Sequence, residues 1–292
     1  MSVPVQKARA CLANNSLVCG ATKVTKFFTA SSLFLALNSV FVAYFSFILY
    51  NITPSLLVML AVFLSTFGVY GLNKATDSIE DSINKPESAK KGSHYIIPSI
   101  ICYLSSLGIG LYEGPIAFAI LLTPLIIGFI YSVKVCSKVP RLKEVLGVKS
   151  ILVAFSWAFT GALLPALMGT VSLQKVIIVF CFIFIQLFVN TVLFDVLDIK
   201  GDKVSGIRTI PVHLGYNKTR WFLSITNSVL LILVGYCWLS ELFIPQLTTL
   251  IFGISYGYAI VWYYTSQRGK RFSAELFVDG EWLPLVMALK LI

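Results

Sequence analysis

Apolar residues in this chain neither alternate at the spacing of a strand nor recur every three to four positions, as on a half-buried helix. They come in near-continuous runs of about 20 residues, separated by short polar stretches. The runs cover 27–50, 54–72, 95–112, 115–133, 150–168, 176–194, 221–239 and 243–264. A ninth, at 274–292, is weaker because Asp279 and Glu281 interrupt it. Only helices and closed barrels satisfy their backbone in lipid, and runs this continuous are not barrel strands. The pattern predicts an all-α, polytopic membrane bundle of about nine transmembrane helices. It forms a single domain over residues 1–292.

Composition agrees, with 57% hydrophobic and 12% charged residues. The net charge of +10 would suggest nucleic acid in a soluble protein; in a membrane protein it chiefly reports topology, and no nucleic-acid partner is expected. With the N-terminus placed in the cytoplasm, every Lys and Arg of the 23 except Lys175 and Lys290 falls on that side. The long, charged loops after the second, fourth and sixth runs are then cytoplasmic, and the chemistry is expected there. The six cysteines show no metal-ligand spacing and mostly sit in apolar runs, so no disulfide framework is expected.

Two acidic clusters close apolar runs. After the second run, Asn73, Asp77 and Asp81 stand at i, i+4 and i+8, within about 80° of one helical face. After the sixth, Asp195 and Asp202 lie about 20° apart, with Asp198 roughly 60° away. Gly201 is a candidate end for that helix, which would bring Asp202 in from a loop. Carboxylates cost roughly 2.5–3.5 kcal/mol each at bilayer depth, and less toward the interface. They also oppose the dipole at a helix C-terminus, so solvated helix ends explain them poorly. A hard cation, which takes oxygen ligands and bridges to phosphate, explains them better. Their recurrence four runs apart suggests two pseudo-repeats, 24–149 and 150–292, whose motifs face each other across a cavity.

A diphosphate held by divalent cations presents further oxygens to cationic side chains. Candidates are Lys23 and Lys26 before the first span, and Arg141, Lys143 and Lys149 before the fifth. Tyr70 shares the face of Asn73, while Phe184 and Phe188 share that of Asp195. They are candidate walls for an isoprenoid tail and for stabilising a carbocation through their π faces.

These residues resemble the UbiA-type intramembrane prenyltransferases. The first family motif is matched by Asn73, Asp77 and Asp81 followed by Ile83-Asn84-Lys85-Pro86. The second is matched by Asp195, Asp198, Gly201 and Asp202, then Gly206-Ile207-Arg208-Thr209-Ile210-Pro211. Tyr131-Ser132 and Arg141-Leu142-Lys143 also fit. The resemblance implies two Mg²⁺ ions, one on Asn73 and Asp77, the other on Asp198 and Asp202, with Asp81 and Asp195 completing the shell. It adds Tyr131, Ser132 and Arg208 to the diphosphate-binding set and supports the ninth segment as a helix. Lys74 stands where the family usually has Asp, and Glu87 to Lys91 replace an Arg-rich stretch; these departures touch the acceptor, not the metal ligands.

The activity implied is Mg²⁺-dependent transfer of an isoprenyl group, such as geranylgeranyl, from its diphosphate to an aromatic or lipid acceptor within the membrane. An archaeal-type digeranylgeranylglyceryl phosphate synthase is an alternative. A cation-coupled transporter is another, but transporter sites sit near the bilayer midplane and both clusters here sit at helix ends.

Overall fold

A computed structural model describes residues 32–76, 96–132, 145–266 and 271–291. The described residues form helices α1 (Ser32–Tyr50), α2 (Leu56–Thr76), α3 (Ile96–Glu113), α4 (Pro115–Ser132), α5 (Val148–Ala166), α6 (Leu173–Ser205), α7 (Ile210–Leu239) and α8 (Leu247–Thr265). The last segment is broken into α9 (Arg271–Phe277), a 3₁₀ turn at Asp279–Glu281, and α10 (Trp282–Lys290). Six helices, α1 to α3 and α5 to α7, are long and apolar enough to cross a membrane. The chain is an integral membrane protein with the all-helical architecture expected of it.

From α1 to α8 each helix packs against the next, and α10 returns against α1, bringing the two ends of the bundle together. One buried cluster joins α1 to α2 and α4 through Phe47, Val62 and Leu121. A larger one joins α1 to α5 through α10, with Phe45, Phe182 and Trp282 at its centre. In lipid, where hydrophobicity cannot drive helices together, close backbone approach and interhelical hydrogen bonds do so. Gly68 supplies the first: a side-chain carbon there would stand 2.7 Å from Tyr103 Cβ on α3. The second is supplied by Ser106 Oγ to Ala61 O (2.8 Å), Tyr50 Oη to Ala162 O (3.1 Å) and Asn227 Nδ2 to Ile254 O (2.8 Å).

The helix α6 departs from the sequence-based expectation in a way that shapes the site. It does not end at Gly201. Ser172 caps its start, accepting from Lys175 N, and the helix runs on to Ser205. It stops at Gly206, in the left-handed region at φ 72°, with Ile207 N bonded to Asp202 O at 2.9 Å. That closing bond needs a left-handed residue, which glycine adopts at little cost. Gly201 stays helical because the chain beyond it continues the ladder. Asp195, Asp198 and Asp202 therefore share one rigid helix, and Asp202 does not approach from a loop.

Candidate active site

The second motif occupies the last three turns of α6. Asp195 is 2% exposed. Its Oδ1 accepts from Lys149 Nζ at 3.0 Å and its Oδ2 from Ser150 Oγ at 2.8 Å, both from the first turn of α5. Thr191, one turn earlier on α6, donates to Ser150 O at 3.4 Å and so reinforces the same junction. Both carboxylate oxygens of Asp195 are thus engaged with α5.

Asp202 differs. It is also 2% exposed, but its Oδ2 makes no hydrogen bond of full geometry among the described residues; the buried Thr209 hydroxyl and the Lys149 charge lie within its reach. A buried carboxylate oxygen without a well-formed hydrogen bond loses hydration that its surroundings replace only in part. Asp198, half-buried one turn below, presents a second carboxylate on the same side of the helix. The donor chemistry, carboxylate oxygens at i and i+4 with one only partly satisfied, fits a hard divalent cation. Asn73 of the first motif is half-buried in the last turns of α2.

Asp77 and Asp81 lie outside the described residues, as do Lys23, Lys26, Arg141 and Lys143. Among the described residues no three His, Cys, Asp or Glu side chains gather into a metal site by themselves. Tyr131 and Ser132 are the last residues of α4. Arg208 is exposed in the short link between α6 and α7.

Below Asn73, a cavity of about 40 Å³ opens among α1, α2, α4 and α5. Ser39, Ser65, Thr66, Thr160, Tyr70 and Trp157 are on its wall. Trp157 Nε1 donates to Tyr70 Oη at 2.9 Å, with the rings edge to face and their centroids 6.1 Å apart. That bond fixes the Tyr70 ring and leaves its own O–H to point elsewhere. Phe184 and Phe188 do not line this cavity. They stack on each other at 6.3 Å within a ladder that runs from Phe155 through Phe180 to Phe222. The three candidate tail residues therefore occupy two separate aromatic groups.

Sequence reasoning did not find Ser150 or Trp157. Ser150 follows Lys149 directly, and that adjacency was the available signal; Trp157 is 87 positions from the Tyr70 it orients.

The UbiA prenyltransferase family model matches residues 27–278. A digeranylgeranylglyceryl phosphate synthase from Methanoculleus marisnigri is 29% identical over 171 residues, 58% of this chain and 60% of the relative. The chain thus matches less than two thirds of that relative's length. Among solved structures, a UbiA homologue from Archaeoglobus fulgidus bound to GPP and Mg²⁺ superposes with a TM-score of 0.65 at 17% identity, covering 91% of this chain and 100% of the other. A structure reported for digeranylgeranylglyceryl phosphate synthase superposes with a TM-score of 0.60 at 17% identity, covering 91% and 99%. At these identities the superpositions establish the fold.

Proposed function

Because the chain belongs to the UbiA prenyltransferase family, we propose that it transfers an isoprenyl group from a polyprenyl diphosphate to a hydrophobic acceptor in the membrane, with Mg²⁺ as cofactor. The observation that carries this reading is the end of α6: a helix bearing Asp198 and Asp202, one carboxylate oxygen buried without a well-formed hydrogen bond, locked to α5 by Lys149 and Ser150. Asp198 and Asp202 would hold one ion; Asn73, with Asp77 and Asp81, would hold a second. Mg²⁺ bound there supplies Lewis-acid neutralisation of the diphosphate, which makes it a better leaving group.

The chain's own residues do the rest. The Lys149–Asp195–Ser150 contact sets the height and rotation of α6 against α5, and so the direction in which Asp198 and Asp202 present their oxygens. Lys149 and Arg208 would bring positive charge to the diphosphate oxygens that no cation covers, with Lys23, Lys26, Tyr131, Ser132, Arg141 and Lys143 as further contacts. Tyr70, held by Trp157, offers an aromatic face below the first motif where positive charge develops on the allylic carbon. The apolar helices exclude the water that would otherwise capture that carbon as an alcohol. The clustering of basic residues in alternate loops supports placing the N-terminus and these loops in the cytoplasm.

The test is incubation of the purified protein with labelled geranylgeranyl diphosphate, Mg²⁺ and a panel of aromatic and glycerophosphate acceptors. Diphosphate release should require Mg²⁺ and vanish in Asp198→Ala. Release that persists in both Asp77→Ala and Asp198→Ala would falsify the metal assignment. The name of the partly matching relative makes glycerophosphate lipids the first acceptors to try.

A further inference from the structure

Arg220 is held in a fixed orientation where the start of α7 meets the end of α8. Its Nε donates to Thr265 Oγ1 at 2.8 Å. Thr265 is buried, and its own proton goes to Val261 O at 2.6 Å, so the hydroxyl is left to act as an acceptor. The guanidinium carbon stands 5.0 Å from the centre of the Trp262 ring. Trp221 meets that ring edge to face, with the centroids 5.8 Å apart. One N–H and one face of the guanidinium are thus engaged, and the four N–H groups on its two Nη atoms remain to be answered. Among the described residues no carboxylate pairs with Arg220.

The position is that of a lipid headgroup. The α7 helix is broken at Gly215 (φ 73°, ψ 172°), so its continuous run starts at Tyr216. From there to Leu239 it measures about 36 Å, enough to cross a hydrocarbon layer of about 30 Å. Arg220 lies about 6 Å inside the start of that run, and Trp262 is in the last turn of α8. Trp221 and Trp262 are 60% and 46% exposed, and indole rings gather at the membrane–water boundary. Asn217, exposed one turn nearer the water, adds an amide on the Arg220 face. Ile225, exposed one turn deeper than Trp221, offers apolar surface where an acyl chain would run. A guanidinium laid against indole at this depth is shielded from water on one face, and an anion is the natural group to meet its charge.

We propose that Arg220, with the Trp221–Trp262 pair, is a binding site for the phosphate of one anionic phospholipid on the outer surface of the bundle. Two Nη groups held in one plane match the two unesterified oxygens of a phosphodiester, a grip that the point charge of a lysine does not reproduce. The headgroup is anionic because a zwitterionic one brings its own cation and leaves the charge of Arg220 in excess. Lys218 provides the contrast: it is exposed two residues away, about 200° round the same helix, and has the charge without the indole platform. The site does not depend on the prenyl-transfer reading.

The experiment follows the melting temperature of the full chain in uncharged detergent as phosphatidylglycerol, or phosphatidylcholine with the same acyl chains, is added. A ligand that binds only the folded state raises melting with its concentration, so each titration gives an apparent affinity. Wild type should bind phosphatidylglycerol more tightly than phosphatidylcholine. Arg220→Gln should weaken phosphatidylglycerol binding by roughly ten-fold or more, and Arg220→Lys, which keeps the charge and loses the fork, should fall between. Lys218→Gln should bind as wild type does. No preference in wild type would overturn the site, and so would an equal loss in Lys218→Gln, because bulk charge would then explain the binding. Glycerol phosphate and inorganic diphosphate carry no acyl chains and should leave melting unchanged. A rise with either that vanishes in Arg220→Gln would give the arginine to a soluble anion instead. Should Arg220→Gln fail to fold, Arg220→Lys and Trp262→Leu take its place, and wild-type affinity in both would overturn the proposal.

Discussion

Lys149 and Asp195, 46 positions apart, join the first turn of α5 to the motif-bearing end of α6 by a 3.0 Å ion pair. Ser150 completes the grip on the second carboxylate oxygen at 2.8 Å. The lysine side chain is 31% exposed and the aspartate 3%, so the aspartate is the partner that depends on the pair. Removing Lys149 leaves a buried carboxylate half-satisfied, at a cost of about 1–3 kcal/mol. Lys149→Met should lower the melting temperature in detergent, and adding Asp195→Asn should recover much of the loss. If the two effects simply add in a double-mutant cycle, the pair is not coupled.

Asp202 leads to the opposite expectation for stability. A buried oxygen without a well-formed hydrogen bond is a burden when no cation is bound, so Asp202→Asn should leave the metal-free protein as stable as wild type or raise its melting temperature. On the proposed metal assignment, the same change should weaken Mg²⁺-dependent diphosphate release by at least about ten-fold. Melting curves in chelator, set beside activity across a Mg²⁺ titration, separate the two effects. A destabilised metal-free variant would mean that Asp202 has a structural partner instead.

Trp157→Phe keeps the aromatic wall of the cavity and deletes the hydrogen bond to Tyr70. The stability cost should be modest, about 0.5–1.5 kcal/mol. The functional cost should be larger, since Tyr70 loses its fixed orientation. Product analysis should show more prenyl alcohol per transfer, and Tyr70→Phe should reproduce much of that effect. A product ratio equal to wild type in both variants would remove the pair from the reaction.

Gly68 tests the packing independently of the site. A methyl group there meets Tyr103 Cβ and, at 2.8 Å, Ser99 O of α3. Backbone cannot yield cheaply, so Gly68→Ala should destabilise by about 1–3 kcal/mol. The same change at Gly108, where nothing lies within 4 Å, should have little effect on melting.

Much of this architecture was legible because a bilayer imposes a simple length rule, and runs of about 20 apolar residues announce themselves. The motif carboxylates were legible for a related reason: charge at the end of such a run has to be explained. The end of α6 was harder. Asp198, Lys200 and Asp202 look like a loop once hydropathy falls, and Gly201 offers a plausible stop, yet the helix continues to a glycine five residues later. Helical azimuth placed Phe184 and Phe188 on the face of Asp195 correctly. It could not say that the rings continue along α6 to Phe180 and from there meet Phe155 of α5 in a ladder. Asp279 and Glu281 weakened the ninth run in the sequence. What Glu281 meets became visible only once Asn190, 91 positions away, stood beside it.

The helix α6 has 33 residues, and at 1.5 Å per residue it measures about 50 Å. The hydrocarbon layer is about 30 Å thick, and an ordinary tilt of about 20° shortens the helix's reach by only a few ångströms. A rod that long overshoots the oily layer by several turns. If its other end starts near the opposite interface, Asp195 sits close to the headgroups and Asp202 beyond them. Such a helix works as a gauge of depth. In the proposed reaction it would set the height at which ions and a diphosphate headgroup meet a lipid arriving sideways through the membrane, and shortening it by a turn would pull that meeting point into the oil.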